Sequence, residues 1–511
     1  MSRERISRNI VKRIIVDGVL VLDTPTCLSN GDAEGTTDMM LLRDSISDKA
    51  LLTGSSIAGA LRNYLHEYEC NYGSNETRSN MSTKLFGDLF AYKDENERNL
   101  SEPRKIQLRE QDTQSPLIIN ESISTKVPRV ELRDGVKIDG KTGTALDKKK
   151  YDLELLSAGT QFSLRFELLI ESDKDEVLLK QALSIVLEGL KKGEIGIGMK
   201  KRRGFGKCHV EEWQIWEFDL TKKSDCIAWL TFERWGTQPH SSKQLQNVKR
   251  EQIDKRNRLF ITANFKLVTP LLIRSNQTLI QNKCSADTVH LHSYRKGGNK
   301  PIVSGTSIAG VLWHRAERIV KTLDKDLKIV NELFGFVDEE TKEAKASRLL
   351  VDETIIENTS ELVQSRIAID RFTGGAYHGA LFQEQPIYPA QVKEDDKKKK
   401  DKNKYKKNPD ESRKDVNISL KIELQNPKEY EIGLLLLLLK DLWVSDLPIG
   451  GTSSIGRGRL QGLEARIVWY NCNSGSLEEK RSIFENQGKL IISEQDKQRL
   501  EYFVEKLVEQ V

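Results

Sequence analysis

The chain has 511 residues, several times the common size of one domain, so two or more hydrophobic cores are expected. Hydrophobic residues make up 37% and charged residues 31%, and 81 Lys and Arg against 76 Asp and Glu leave a net charge of only +5. That balance excludes no nucleic-acid partner, because phosphate contacts depend on where cations cluster. The six cysteines, at 27, 70, 208, 226, 284 and 472, stand singly, which excludes a C-x-x-C zinc knuckle and a small disulfide scaffold. The longest apolar run, Ile432 to Leu439, falls far short of the ~18–20 residues that span a bilayer. The basic start, MSRERISRNIVKR, leads into strand-like alternation rather than an apolar signal segment. A soluble, cytoplasmic protein with no membrane partner is expected.

In chain order, Ile10 to Leu22 reads as a strand. Gly54-Ser55-Ser56-Ile57-Ala58-Gly59 opens a helix, with hydroxyls where an N-cap is needed and Ile57, Leu61 and Leu65 on one face. Leu85-Phe86-Gly87, a polar stretch over Ala91 to Val130, and Ile138-Asp139 with Thr142-Gly143 follow. A second helix is predicted over Glu176 to Leu190, immediately before a glycine-rich run, Gly196 to Gly206. Lys222 to Arg258 is a polar junction.

The same order then repeats. Leu259 to Ile273 is strand-like, and Gly305-Thr306-Ser307-Ile308-Ala309-Gly310 opens a helix. Leu333-Phe334-Gly335, then Ile369-Asp370 with Thr373-Gly374, come next, and a helix over Tyr430 to Trp443 precedes the glycine run Gly450 to Gly458. The landmark offsets are 251, 248, 231 and 252 residues. A low-complexity insertion, Lys393 to Lys414, accounts for the recovery after the third. Strand, helix, strands, helix, strand predicts a ferredoxin-like βαββαβ core in each copy, an α+β fold twice over. The first domain is placed at residues 1–235, with a thumb-like insertion near 91–130, and a linker at 236–258. The second occupies 259–475, with the Lys-rich insertion at about 391–416, and a helical extension fills 476–511.

Gly196-Ile197-Gly198-Met199-Lys200-Lys201-Arg202-Arg203-Gly204-Phe205-Gly206-Lys207 combines glycines, which let backbone approach phosphate, with five cations. A tight hairpin with solvated cations is the plainer alternative. The second run keeps the glycine pattern but only two cations, Arg457 and Arg459, and neither run is a Walker A or Rossmann loop. His290 and His292 lie at strand spacing and could touch RNA or metal, but without a third ligand read as surface residues.

Together with Arg133-Asp134-Gly135-Val136-Lys137-Ile138-Asp139-Gly140-Lys141-Thr142-Gly143, these ordered motifs resemble the RAMP superfamily. They are most similar to the backbone subunit of type III CRISPR effector complexes, here as a tandem fusion of two such subunits, as in type III-D systems. The resemblance implies an RNA-recognition-like palm that holds a guide RNA and a thumb that splays the guide–target duplex. It implies other RAMP backbone subunits and a large signalling subunit as partners, and a single-stranded target RNA. It also implies RNA contacts at Ser55, Ser56, Arg62, Lys200, Lys201, Arg202, Arg203, Lys207, Thr306, Ser307, Arg457 and Arg459.

In cleaving members an Asp between the first strand and first helix cuts the target, which carries over to Asp38 and Asp287 with a divalent cation, Mg2+. On residue type alone, each Asp could equally cap a turn. Departures from the family pattern are Ala58 and Ala60, which leave only Arg62 after the first helix start, and Ala309 and Trp313 in the second copy. In copy two, Arg366 stands one place from where Arg133 would be matched. The competing readings are a non-cleaving scaffold and a guide-precursor-processing endoribonuclease.

Overall fold

The computed structural model describes residues 8–29, 38–88, 113–172, 174–233, 253–275, 286–338, 341, 343–378, 380–389, 417–471, 479–486 and 489–510. The first copy comprises β1 (Ile10–Leu22), α1 (Gly54–Cys70), α2 (Met81–Phe86), β2 (Leu117–Ile119), β3 (Val130–Ile138), β4 (Ala145–Leu156), β5 (Gln161–Glu171), α3 (Glu176–Lys191), β6 (Cys208–Asp219) and α4 (Lys223–Leu230). The second comprises β7 (Arg258–Leu267), β8 (Thr288–His290), β9 (His292–Arg295), β10 (Gly298–Val303), α5 (Gly305–Thr322), α6 (Lys328–Phe334), β11 (Leu349–Val351), β12 (Gln364–Arg366), β13 (Phe382–Gln385), β14 (Ile418–Gln425), α7 (Glu429–Trp443) and β15 (Leu460–Tyr470). Then come β16 (Glu479–Asn486), β17 (Lys489–Ile491) and α8 (Glu494–Glu509).

The first sheet runs β2-β5-β1-β6 and the second β11-β14-β7-β15-β16-β17. Both carry the ferredoxin-like order, with the first strand central and paired antiparallel on each side. Val16 sits opposite Phe166 and Ile215. Its counterpart Ile261 sits opposite Ile422 and Ile467. Alternation along β7 buries Leu259, Ile261, Ala263, Phe265 and Leu267 against the helices.

α1 buries Ile57, Leu61, Tyr64 and Leu65, and α5 buries Ile308, Leu312, Ala316 and Val320, one helical stripe each. Their N-caps are Thr53 and Ser304, one residue before the glycines; each hydroxyl accepts the backbone N–H of Ser56 or Ser307 at 3.3 Å. The Ser55, Ser56, Thr306 and Ser307 hydroxyls therefore lie in the first turn. α7 is apolar all round because it is covered on both sides, by the sheet and by α8, whose Phe503 backbone lies against Gly433. The C-terminal extension, expected to be helical, supplies two edge strands as well as α8. Among the described residues no helix is long and apolar enough to cross a membrane.

Between β2 and β5 the chain leaves the first sheet as the β3–β4 hairpin. The expected thumb, 91–130, lies partly outside the described residues, and Leu117–Ile119 within it is a core edge strand, so the projecting element is the hairpin that follows. In copy two Leu349–Val351 is likewise core, and the corresponding hairpin carries β12 and β13. The Lys-rich insertion lies outside the described residues, as does most of the expected linker.

The copies are joined by polar contacts. Arg133 Nη1 donates to Glu353 Oε2 at 2.9 Å, and Arg295 pairs with the same carboxylate. Glu131 accepts from the Ser293 hydroxyl at 3.0 Å and the Tyr294 N–H at 2.8 Å. All these charged groups are buried, so each charge has its counter-charge inside the interface.

Candidate nucleic-acid interface

The two glycine-rich loops have the same backbone. Gly198, Lys200, Gly204 and Gly206 have φ of 85°, 55°, 87° and 74°; Gly450, Thr452, Gly456 and Gly458 have 80°, 58°, 86° and 78°. Each loop contains one 3-10 turn, at Lys201–Arg203 and Ser453–Ile455. Each is tied to the segment that follows the first strand: Met199 N–H to Cys27 O at 3.0 Å and Gly206 N–H to Pro25 O at 3.0 Å. In copy two the bonds are Gly451 N–H to Leu272 O and Gly458 N–H to Pro270 O, both 2.8 Å. Lys200 and Thr452 hold positive φ without being glycine, a strain that persists only where surroundings enforce it.

Beside each loop stands an exposed aspartate at the start of a short bridge to the hairpin. Asp38 Oδ2 accepts the backbone N–H of Asp152 at 2.8 Å, and Asp287 Oδ2 accepts that of Gln383 at 2.7 Å. The following residues pair in parallel, Met39 with Leu153 and Thr288 with Glu384. Asp152 and Gln383 are themselves equivalent, since Arg133 opposes Leu153 as Gln364 opposes Glu384. The hairpin tips match too: Asp139 O accepts Gly143 N–H at 2.8 Å and Asp370 O accepts Gly374 N–H at 3.0 Å. Aspartate, glycine loop and hairpin tip thus recur as one constellation on two copies of one core.

The model of the RAMP superfamily matches residues 19–209 and 264–461. The chain belongs to the RAMP superfamily. No curated protein matches it.

The sequence-predicted RNA-contact residues of this RAMP protein do not share one fate. Ser55, Ser56 and Thr306 are exposed at helix starts, and Ser307 is half-buried. Lys201 and Arg202 are exposed, and the Lys200 ammonium lies 3.7 Å from the centre of the Tyr151 ring. Arg203 turns away from that surface: its guanidinium donates to Leu349 O at 3.2 Å and Phe334 O at 3.4 Å of copy two. Burial away from water holds its pKa below the usual value. Lys207 pairs with Asp352 at 2.6 Å. Arg62 pairs with Glu76 at 2.9 Å. Arg457 is buried, donating to Glu384 at 2.8 Å and Gln364 at 2.8 Å, and Arg459 donates to Ser445 O. These five cations have partners within the fold, whereas Lys201 and Arg202, with Lys200 beside them, form the more open basic patch. The hairpin register also places Gln364 at the position of Arg133, with Arg366 two places on rather than one.

The histidines are not surface residues. His290 is buried, accepting Ile273 N–H at 3.1 Å and donating to Ile302 O at 2.9 Å, and burial pushes its pKa down to about 4. His292 meets Glu361 at 2.8 Å. Among the described residues no cluster of three or more His, Cys, Asp or Glu could hold a metal. The donor set is one exposed carboxylate per copy, which fits a hard cation that keeps water and phosphate oxygens as its other ligands.

Proposed function

We propose that this RAMP protein is a tandem-fused backbone subunit of a type III, III-D-like, CRISPR effector complex that serves antiviral defence. In this reading it holds guide RNA and guide–target duplex along both copies and cleaves target RNA endonucleolytically at Asp38 and Asp287. Base pairing supplies sequence specificity, and the protein reads duplex shape and backbone. The observation that carries the reading is the equivalent placement of the two aspartates, each fixed by a hairpin N–H beside a conformationally matched glycine loop.

The chain's own part in the chemistry is positional. The Asp152 and Gln383 N–H groups engage one oxygen of each carboxylate, so the other is oriented outward toward a splayed nucleotide. There it orients the 2′-hydroxyl, whose oxygen attacks the adjacent phosphorus to form a 2′,3′-cyclic phosphate as its proton passes to solvent, while the bond to the 5′-oxygen breaks and that oxygen takes a proton from water. Asp38 and Asp287 would also hold the Mg2+ that, when bound, supplies stabilisation of the charge developing on phosphate. Lys200, Lys201 and Arg202 contact phosphate in copy one. Copy two offers exposed Ser453 and Ser454 instead, so its grip depends more on backbone N–H groups.

The test replaces Asp38 and Asp287 by Ala, singly and together, in the guide-loaded complex. Loss of some cuts in each single variant and all cuts in the double, with guide retained, is expected. An unchanged cut pattern rejects catalysis and leaves a scaffold. Cutting of guide precursor by the isolated chain would instead favour the processing reading.

A further inference from the structure

Each sheet turns one face to its helices and the other away from them. On the outer face of the second sheet, strand pairing sets side chains in rows. Lys421 of β14 and Arg466 of β15 both stand opposite Thr262 of β7, and Ser482 of β16 stands opposite Arg466. The next row holds Ser419, Asn264, Glu464 and Phe484. Cross-strand neighbours lie about 5 Å apart, so the two cations flank the threonine at about 10 Å from one another. Lys421, Arg466 and Lys266, farther along β7, are exposed, and among the described residues none of them makes an ion pair. Phe484 is 43% exposed and lies diagonally from Arg466 on the same face.

The duplication supplies a comparison with the backbone held constant. By register, Lys421, Thr262 and Arg466 correspond to Arg165, Asp17 and Gln214 in the first sheet. There Arg165 Nε donates to Asp17 Oδ1 at 2.7 Å, so the row neutralises itself. Val19 and Val21 occupy the places of Asn264 and Lys266. Toward the start of β1 the same face is apolar, with Ile15, Trp216 and Phe218 packed against Trp229 of α4 and Phe232. Copy two has none of this covering over its two rows. Its like charges repel across Thr262, a cost that an anion set between them removes.

We propose that the outer face of the second sheet binds an unpaired segment of RNA, as a site separate from any strand held at the glycine loops. Lys421, Arg466 and Lys266 take phosphates, Thr262 and Asn264 donate to phosphate or 2′-hydroxyl oxygens, and Phe484 stacks on a base. Positive charge alone would suit any polyanion. The exposed ring beside Arg466 selects a strand whose bases are free to stack, which excludes a closed duplex. The site does not depend on the proposed catalysis or on Asp38 and Asp287.

Fluorescence anisotropy with a fluorescein-labelled oligouridylate tests this on the full, RNA-free chain. The parent carries Lys200→Ala, Lys201→Ala and Arg202→Ala, which removes the basic patch of the first glycine loop. In that parent, Lys421→Ala with Arg466→Ala should weaken binding about tenfold or more and lower the log–log salt slope by about 1.4. Phe484→Ala should weaken binding about fivefold and leave the slope unchanged, because stacking releases no counterions. Gln214→Ala, at the place of Arg466 on the first sheet, should change neither. Circular dichroism spectra matching the parent establish that the variants fold. A parent that does not bind the oligonucleotide, or a Lys421–Arg466 variant that binds as the parent does, overturns the proposal. So does unchanged affinity in Phe484→Ala, or fluorescein-labelled polyglutamate held as tightly as the RNA; either result assigns the face to an acidic protein instead.

Discussion

Gly204 and Gly456 have nearly identical backbones, with φ of 87° and 86°, but different surroundings. A methyl group at Gly456 meets nothing within 4 Å, whereas at Gly204 it collides with the backbone nitrogen of Glu353 across the joint between copies. Ala at either site incurs about 1 kcal/mol for the left-handed conformation. At Gly204 the collision adds about 1–3 kcal/mol of overpacking, because backbone cannot rotate aside. Gly204→Ala should therefore destabilise the chain by about 2–4 kcal/mol and Gly456→Ala by about 1 kcal/mol. Guanidinium unfolding followed by tryptophan fluorescence measures the difference. Amide exchange over Leu349 to Ile355 should accelerate only in the Gly204 variant. Equal losses, or unchanged exchange in both, would refute the claim that the first glycine loop is a docking element.

At the base of the second hairpin the buried Arg457–Glu384 pair occupies the places held by Phe205 and Leu153 in copy one. Arg457→Phe alone should cost about 1–3 kcal/mol, because Arg366 at 3.1 Å and Arg274 at 3.8 Å still partner the Glu384 carboxylate, and a denaturant titration measures it. His290 has a folded pKa of about 4, below the ordinary 6.5. Its neutral form thus contributes stability that is complete above about pH 6.5 and lost as pH falls toward 4, about 3 kcal/mol in all. The corresponding slope of unfolding midpoint against pH should be absent in His290→Gln. Replacing Lys200, Lys201 and Arg202 together by Ala should weaken RNA binding and flatten the salt dependence by about 2 in log–log slope; an unchanged slope removes these residues from the interface.

Much of the fold was legible because periodicity and duplication are local signals. The helices preceding the two glycine runs begin and end within a residue of the predicted bounds. The N-caps were displaced by two residues or more because Thr53 and Ser304 offer the same kind of hydroxyl as Ser55 and Thr306, which follow Gly54 and Gly305. The edge strand Leu117–Ile119 falls within the expected thumb, since three residues in a polar stretch show no alternation. The aspartates were legible as candidates, but their common anchor was not, because a backbone N–H leaves no trace in residue identity. The cations were the hardest to read. Arg203, Lys207 and Arg457 look alike in the sequence, and their partners Leu349, Asp352 and Glu384 lie 146, 145 and 73 residues away. A cation is visible in a sequence; the distant group that partners it is not.

The central claim is that both copies hold the same ribonucleotide strand through equivalent loops. Photocrosslinking guide RNA carrying 4-thiouridine at successive positions in the assembled complex, followed by peptide mapping, tests it most directly. The account predicts crosslinks from one guide to both Gly196–Lys207 and Gly450–Arg459, at guide positions separated by a fixed interval. Crosslinks confined to one copy, or falling on surfaces remote from both loops, would contradict it.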